Sequence, residues 1–147
     1  MSVPMFGPAR ATAELRAALG AERVPIQVCA TCGTRQYTTR EICAHCLGGD
    51  LAWRHERLVG TVAASSRLHL SLDPAFGDLL PATIAMVRLE AGPKVLAWVA
   101  PGAEATGCRI ALTAARDPRG EAVLVALPEP TSPTSADLFD ILRGGET

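Results

Sequence analysis

Hydrophobic and polar positions alternate with a period of two residues from Leu51 onward, and this region is rich in β-formers. Such alternation is typical of strands with one buried face. Five strands are predicted, at residues 52–70, 82–90, 94–100, 109–115 and 122–127. Gly60 lies inside the long first strand, where a lone glycine indicates a bulge or a sharp bend. The pattern favours a small closed barrel of the OB type, with a small antiparallel sandwich as the structural alternative.

Ahead of this region, Pro8 to Leu19 has the pattern of a short helix. Proline suits the first turn of a helix, and Gly20 is placed to end it. The helix carries a narrow apolar stripe of Leu15, Ala18 and Leu19. This stripe could pack on its own domain or lie against another subunit.

The tail begins at residue 128 with Pro-Glu-Pro-Thr-Ser-Pro, which is the composition of an extended linker. Ser135 can then cap a short helix. The apolar residues of that helix are Leu138, Phe139, Ile141 and Leu142. A helix this short is marginal alone in water, so its apolar side needs a surface to dock on.

Two C-x-x-C pairs, Cys29/Cys32 and Cys43/Cys46, hold four of the five cysteines. Two such turns facing each other supply four thiolates in a tetrahedron, the geometry of a closed structural zinc site. Gly33 follows the first pair, where the backbone usually needs a positive φ. Because all four positions are filled by protein, the metal has no open site for a substrate.

Other interpretations of the four cysteines compete with zinc. Two disulfides would suit an oxidising compartment, and a thioredoxin-type pair would need one C-x-x-C beside a βαβ pattern. Iron could occupy the same cage. His45 is a fifth candidate ligand, although a solvated or hydrogen-bonded histidine is favoured. Arg35 and Arg40 lie close in sequence to the site and can offset its negative charge.

The 147 residues divide into four segments on this basis. They are an N-terminal helical segment (1–23), a zinc ribbon (24–50), an OB-fold (51–127) and a linker with a short helix (128–147). The fold class is mainly β. The formal net charge is −1, and four thiolates with one zinc ion bring it to about −3. Bulk binding to phosphate backbones is therefore disfavoured.

The sequence also bears on location. It has no apolar run of transmembrane length. Residues 1–10 lack the basic start and apolar core of a signal peptide. We therefore expect a cytoplasmic protein.

The sequence offers few candidates for catalysis. Cys108, the fifth cysteine, has no histidine nearby in sequence, and a buried free cysteine is commonly inert. His55 and His69 lie in the predicted first strand, where isolated histidines are usually surface or core residues. No nucleophile elbow, P-loop or dinucleotide-binding motif is present. We expect a protein that is not an enzyme alone.

A further set of residues, spread over about residues 9–127, carries a family resemblance. In the ribbon they are Cys29-x-x-Cys32-Gly33, Tyr37, Arg40 and Cys43-x-x-Cys46. In the barrel region they are Trp53, Gly60-Thr61-Val62, Leu80-Pro81, Val87-x-Leu89, Gly92-Pro93 and Gly107. In these positions the chain resembles the DUF35 family, proteins with a rubredoxin-like zinc ribbon fused to an OB-fold and associated with acyl-CoA enzymes.

The resemblance implies a non-catalytic accessory subunit of an acyl-CoA-processing complex. Its partner would be thiolase-like (a thiolase, aldolase or acyltransferase) or a hydratase, and the chain would help assemble the complex and hold the acyl-CoA. A single-stranded nucleic-acid-binding module is the alternative function. That alternative needs exposed aromatics in a basic groove, whereas this chain has six aromatic residues and no basic run.

Two surfaces follow from this interpretation. The loop from Ser71 to Pro81 is more apolar than an ordinary connection, and with the tail helix it is expected to meet the partner. The expected partner-binding residues are Leu72, Phe76, Leu79, Leu138, Phe139 and Leu142. The CoA phosphates need cations and the adenine an apolar face, for which the candidates are Arg67, Arg88, Lys94 and Trp98. Solvated surface charges and a core tryptophan are the simpler interpretation of the latter four.

Overall fold

The computed structural model describes residues 14–37, 40–133 and 135–143. The first element is a helical turn, α1 (residues 14–17), and the predicted start of this helix at Pro8 lies outside the described residues. Gly20 follows with φ +71°. The apolar stripe packs on its own chain, because Leu15 belongs to the main hydrophobic core and Leu19 packs against it.

The zinc ribbon is built on a three-stranded antiparallel sheet. Its strands are β1 (Val24–Cys29), β2 (Arg35–Gln36) and β3 (Leu51–Glu56), in the order β2-β1-β3. Alternate residues of β1, from Val24 to Val28, join the main core. The opposite face of β1 carries Gln27 and leads to Cys29, so one strand links the barrel core to the cysteine site.

The single long strand predicted at residues 52–70 is in fact two strands. β3 pairs along its whole length with β1 in the ribbon, whereas β4 (Val59–Leu68) belongs to the barrel. The chain changes sheets at Arg57-Leu58, where Leu58 is buried in the main core and its carbonyl accepts a bond from the Leu112 N–H. The ribbon therefore takes its third strand from the segment that the sequence assigned to the barrel.

Gly60 marks a close approach of two backbones. A Cβ at this position would lie 2.2 Å from the Arg88 carbonyl oxygen, so no larger residue fits without a shift. The register irregularity of β4 lies between Val62 and Ala64. The lone glycine therefore marks a constrained position in the strand, but the bulge itself lies two to four residues further along.

The remaining strands close the barrel. They are β5 (Ala82–Leu89), β6 (Lys94–Val99), β7 (Arg109–Arg116) and β8 (Ala122–Pro128). The order around the barrel is β4-β5-β6-β8-β7, with β6 and β8 parallel and the other neighbours antiparallel. A closed five-stranded barrel confirms the predicted OB-type fold over the sandwich.

A second hydrophobic cluster covers part of the outside of this barrel. It joins the 3₁₀ helix η1 (Pro74–Leu79) and the tail helix α2 (Leu138–Leu142) to the outer residues of β7 and β8. α2 is capped by Asp137, whose carboxylate accepts from the Phe139 N–H at 2.9 Å, and not by Ser135 as predicted. Within the described residues, neither helix approaches the length and apolarity of a membrane span.

Candidate metal centre and barrel surface

The two C-x-x-C turns adopt the same backbone shape. In the first, the Gly33 N–H donates to the Cys29 carbonyl at 2.9 Å, and Gly33 has φ +74°. In the second, the Leu47 N–H donates to the Cys43 carbonyl at 3.0 Å, and Leu47 has φ +64°. The sequence predicts the left-handed backbone at Gly33, because glycine favours it, but gives no such indication at Leu47.

The four sulfurs of Cys29, Cys32, Cys43 and Cys46 lie within 4.8 Å of one another. The Cys29–Cys46 and Cys32–Cys43 pairs are each 3.6 Å apart. Four zinc–sulfur bonds in a tetrahedron place sulfurs about 3.8 Å apart, so the cage fits zinc. The sulfurs are too far apart for a disulfide bond, and all five cysteines are free.

Charge within the cage also points to a cation. Hydrogen bonding to Thr34 lowers the pKa of the Cys32 thiol to about 6, and the Cys32 backbone N–H lowers the pKa of Cys29. At Cys46 the Gly48 N–H acts to lower the pKa, but the neighbouring sulfurs of Cys29 and Cys32 outweigh it and raise the pKa to about 12. Four thiolates therefore need a positive ion between them, which matches a zinc donor set.

The other polar residues near the cage make contacts with the backbone and with one another. His45 donates its backbone N–H to the Cys43 sulfur at 3.4 Å, and the group of possible metal ligands contains only the four cysteines among the described residues. Arg35 forms a two-bond pair with Glu56 at 2.7 and 3.0 Å, which joins β2 to β3. Gln27 and Gln36, which the sequence analysis did not single out, are buried beneath the second turn.

The comparisons with known proteins agree with this geometry. Residues 16–52 match the family model of the ChsH2 rubredoxin-like zinc ribbon domain. The resemblance to the DUF35 family is confirmed.

A solved structure of an Ltp2-ChsH2(DUF35) aldolase is similar to the DUF35-like chain described here. The TM-score is 0.67 and the identity 23%, over 86% of this chain and 98% of that chain. At this identity the likeness supports the fold. No protein with curated function matches the sequence significantly.

The candidate CoA-binding residues of the DUF35 interpretation fall into separate groups. Arg88 and Lys94 are register partners on the outer faces of β5 and β6. Arg67 pairs with Thr83 near the other end of β5, which is roughly 17 Å away at about 3.4 Å per residue. Trp98 stacks on Phe76, with ring centroids 5.8 Å apart. The structure therefore brings Arg88 and Lys94 together but not Arg67 with them.

Arg67 lines a cavity of about 340 Å³ at one end of the barrel. Arg143 lines the same cavity, but so do the acidic residues Asp78 and Glu104. These two acids weaken the attraction that the arginines would exert on a phosphate. Among the three basic candidates, Arg88 and Lys94 are the better phosphate sites, because the described residues place no acidic group within 4 Å of them as an ion-pair partner.

The candidate partner-binding residues are mostly covered by their own chain. Phe76, Leu79 and Leu138 are buried in the cluster outside the barrel, and Phe139 and Leu142 pack against it. Leu72 is fully exposed. The loop and the tail helix thus dock on this chain's own barrel, and Leu72 remains available to another molecule.

A second outer face of the barrel, which we call the open face, was not identified as a surface in the sequence. It has two rows across β4, β5 and β6, one of Ala64, Met86 and Leu96 and one of Ser66, Ile84 and Trp98. Trp98 lies at its edge, where it also packs against the covered cluster. Neither row has a charged side chain. Ile84 and Met86 lie on the outward face of β5, because Ala85, Val87 and Leu89 on its other face fill the core.

The candidate catalytic residues have contacts that do not activate them. The Cys108 sulfur is near the carbonyl oxygens of Gly102 and Arg109, at 3.8 and 3.6 Å. His55 lies 3.2 Å from Glu14, with both side chains partly exposed, and this contact ties β3 to α1. His69 is exposed just beyond β4. The structure places no base beside Cys108 among the described residues.

Proposed function

We propose that this protein is a non-catalytic accessory subunit of an acyl-CoA-processing complex. Its partner is a thiolase-like enzyme (a thiolase, aldolase or acyltransferase) or a hydratase, and the chain helps assemble the complex and hold the acyl-CoA. The similar solved structure is named as an aldolase of Ltp2 and ChsH2(DUF35), which supports an assembly with a catalytic subunit. The proposal places the protein in the cytoplasm, where cysteines stay reduced.

The observation that carries this proposal is the open face. Leu96 is 59% exposed and Met86 is 39% exposed. They are register partners in adjacent strands, so together they form one exposed apolar surface. A contiguous apolar patch on an otherwise well-covered barrel is typical of a protein–protein interface. Among the described residues, the tail helix covers β7 and β8 but leaves Met86 and Leu96 exposed, so we assign the open face to a different molecule.

The open face continues into an apolar cleft of about 380 Å³. Its lining includes Leu68, Ile84, Leu96, Trp98 and Val123. The cleft forms because β6 and β8 pair over only two residues, Trp98 and Val99, and diverge beyond them. A cleft of this kind suits an apolar side chain of the partner, since anchors in desolvated pockets dominate binding energy.

Charge at one end of the open face indicates what lies at the rim of the interface. Arg88 and Lys94 form the next row along β5 and β6, beside Met86 and Leu96. Neither cation has an ion-pair partner within 4 Å among the described residues. Two adjacent cations beside an apolar face suit acidic groups on the partner or the phosphates of a CoA bound at the interface.

The test is binding to separately expressed catalytic subunits. The full chain is assayed against each thiolase-like and hydratase subunit of the source organism by calorimetry. Leu96→Glu should weaken binding about 10- to 100-fold, since it replaces an apolar contact with a carboxylate that loses its water in the interface. Ala52→Glu, which adds the same charge on the exposed side of β3, is the matched control and should bind normally.

Failure has two recognisable forms. Binding to none of these subunits, together with acyl-CoA turnover by the chain alone, would contradict the accessory role. Tight binding to a single-stranded oligonucleotide at physiological salt would instead favour the nucleic-acid alternative. That alternative needs free aromatic rings on which bases can stack, and two of the six aromatic residues, Phe76 and Trp98, already stack on each other.

A further inference from the structure

The second C-x-x-C turn has almost no hydrophobic support of its own. Among described residues 30–37 and 40–50, the buried ones are Gln36 and Cys43. The first turn is fixed by the backbone, because Cys29 is the last residue of β1. The segment at 40–50 has neither helix nor strand, so the position of Cys43 depends on long-range contacts.

Two buried glutamines provide such contacts. Gln27 and Gln36 are register partners on β1 and β2, only 5% and 7% exposed. They bond to each other, with the Gln36 Nε2 donating to the Gln27 Oε1 at 3.2 Å. Their other hydrogen bonds all go to the backbone of residues 40, 42 and 44.

Each glutamine both donates to and accepts from that backbone. The Gln27 Nε2 donates to the Arg40 carbonyl at 3.2 Å, and the Arg40 N–H donates back to the Gln27 Oε1 at 3.0 Å. The Gln36 Nε2 reaches the Ile42 carbonyl at 3.5 Å, and the Ala44 N–H donates to the Gln36 Oε1 at 3.1 Å. The bonded backbone positions lie on both sides of Cys43.

We propose that Gln27 and Gln36 are positioning residues of the metal centre. They hold Cys43 and Cys46 opposite the first pair of cysteines, so that the metal meets four sulfurs already close to their final places. Buried hydrogen bonds that orient metal ligands are typically worth 10- to 100-fold in metal affinity. This inference is independent of the proposed accessory function, because it concerns how the ribbon holds zinc.

The test uses Gln36→Met, which keeps an unbranched side chain of similar length but removes the hydrogen bonds. Zinc affinity is measured by competition with a chromogenic chelator under reducing conditions, and cobalt is used as a spectroscopic probe. We expect zinc affinity to fall about 10- to 100-fold, with weaker or shifted cobalt–thiolate bands. Gln27→Met should act similarly, and the double variant should lose less than the two losses combined, because the residues share a bond.

Thr113→Val is the matched control for a general loss of stability. The Thr113 hydroxyl is buried on the outer side of β7 and donates to the Ala21 carbonyl at 2.8 Å, so the variant also removes one buried hydrogen bond. It should lower the unfolding temperature and leave zinc affinity unchanged. Should Gln36→Met fail to fold, Gln36→Asn keeps a buried amide one methylene shorter and should show the same loss.

Two results would overturn the proposal. One is a folded Gln36 variant that binds zinc within twofold of the wild type with an unchanged cobalt spectrum. The other is an equal loss of zinc affinity in Thr113→Val, which would show that the metal site merely follows global stability. A Gln36 variant with a folded barrel and a ribbon that takes up no cobalt would be the strongest form of the expected result.

Discussion

The ribbon and the barrel are stabilised by different kinds of interaction. The barrel has a continuous apolar core, whereas the described residues between Ala30 and Asp50 bury only Gln36 and Cys43. The ribbon must therefore rely on metal coordination, hydrogen bonds and β1, whose alternate residues join the main core. From this difference we expect the two regions to respond to different perturbations, and most of the predictions below separate them.

Metal removal should have the largest effect, and it should be confined to the ribbon. Structural zinc contributes on the order of 10 kcal/mol to small ribbons, while the barrel contains none of the four ligands. Trp53, the register partner of Gln27, reports on the ribbon, and Trp98 reports on the barrel. A strong chelator should change the fluorescence of a Trp98→Phe protein and leave that of a Trp53→Phe protein nearly unchanged.

Simultaneous unfolding of both regions on metal removal would contradict this separation. Cys43→Ser is the genetic counterpart and should mimic the chelator, since it removes a buried ligand. Cys108→Ser is its control, because that thiol lies outside the cage and should leave zinc content unchanged.

Alanine substitutions of two leucines compare how much the covered and the open faces of the barrel contribute to the free energy of unfolding. Leu138 is the first residue of the tail helix and is fully buried against the barrel, whereas Leu96 is exposed on the open face. Leu138→Ala should cost about 2–4 kcal/mol of unfolding free energy, and Leu96→Ala less than about 0.5 kcal/mol. Urea titration of the isolated chain measures both. Equal costs would mean that the tail helix does not belong to the folded unit.

The Arg35–Glu56 pair gives the ribbon a pH dependence. Hydrogen bonding to Arg35 lowers the pKa of Glu56 below its ordinary value of 4.5. The stabilisation is therefore full above that value and is lost as the pH falls through the lowered pKa. Glu56→Gln should cost about 1 kcal/mol at pH 7, a modest figure because the pair is partly exposed.

This cost should shrink as Glu56 becomes protonated in acid. The difference between the two proteins is compared at each pH, because acid also releases the metal from both. A difference that stays constant between pH 7 and pH 3 would exclude the charged pair as its source.

Leu47 should give the smallest effect, with the opposite sign. Its left-handed backbone costs about 1 kcal/mol for a residue with a Cβ, and its side chain is mostly exposed. Leu47→Gly should therefore slow zinc release up to about fivefold, whereas Leu47→Ala should not. The exchange rate of zinc to a chelator provides the measurement, and an equal gain in both variants would refute the backbone explanation.

Local patterns in the sequence predicted the parts of the fold that depend on local chemistry. Cysteine spacing identified the four ligands, and alternation identified the barrel strands to within a few residues. The break at Arg57-Leu58 was missed because β3 and β4 both alternate, and a period of two does not say which sheet a strand joins. The sequence pattern suggested a bend near Gly60 but could not reveal the backbone that approaches it.

The candidate sites show the same limit. The loop and tail leucines were expected to meet a partner because their apolar character is visible in sequence, but the surface that covers Phe76 and Leu138 is formed by distant strands. The roles of Gln27 and Gln36 depend on contacts with residues up to 13 positions away. Glutamines at such spacing carry no recognisable motif, so only the folded chain could indicate them.

The central claim is that the open face of the barrel binds a catalytic subunit, and hydroxyl-radical footprinting tests it most directly. The full chain is labelled alone and in complex with the thiolase-like or hydratase subunit that it binds, and oxidation is read at Met86, Leu96 and Leu47. We predict strong protection of Met86 and Leu96 in the complex and unchanged labelling of Leu47, which lies on the ribbon. Protection of Leu47 with Met86 and Leu96 still fully labelled would contradict the account.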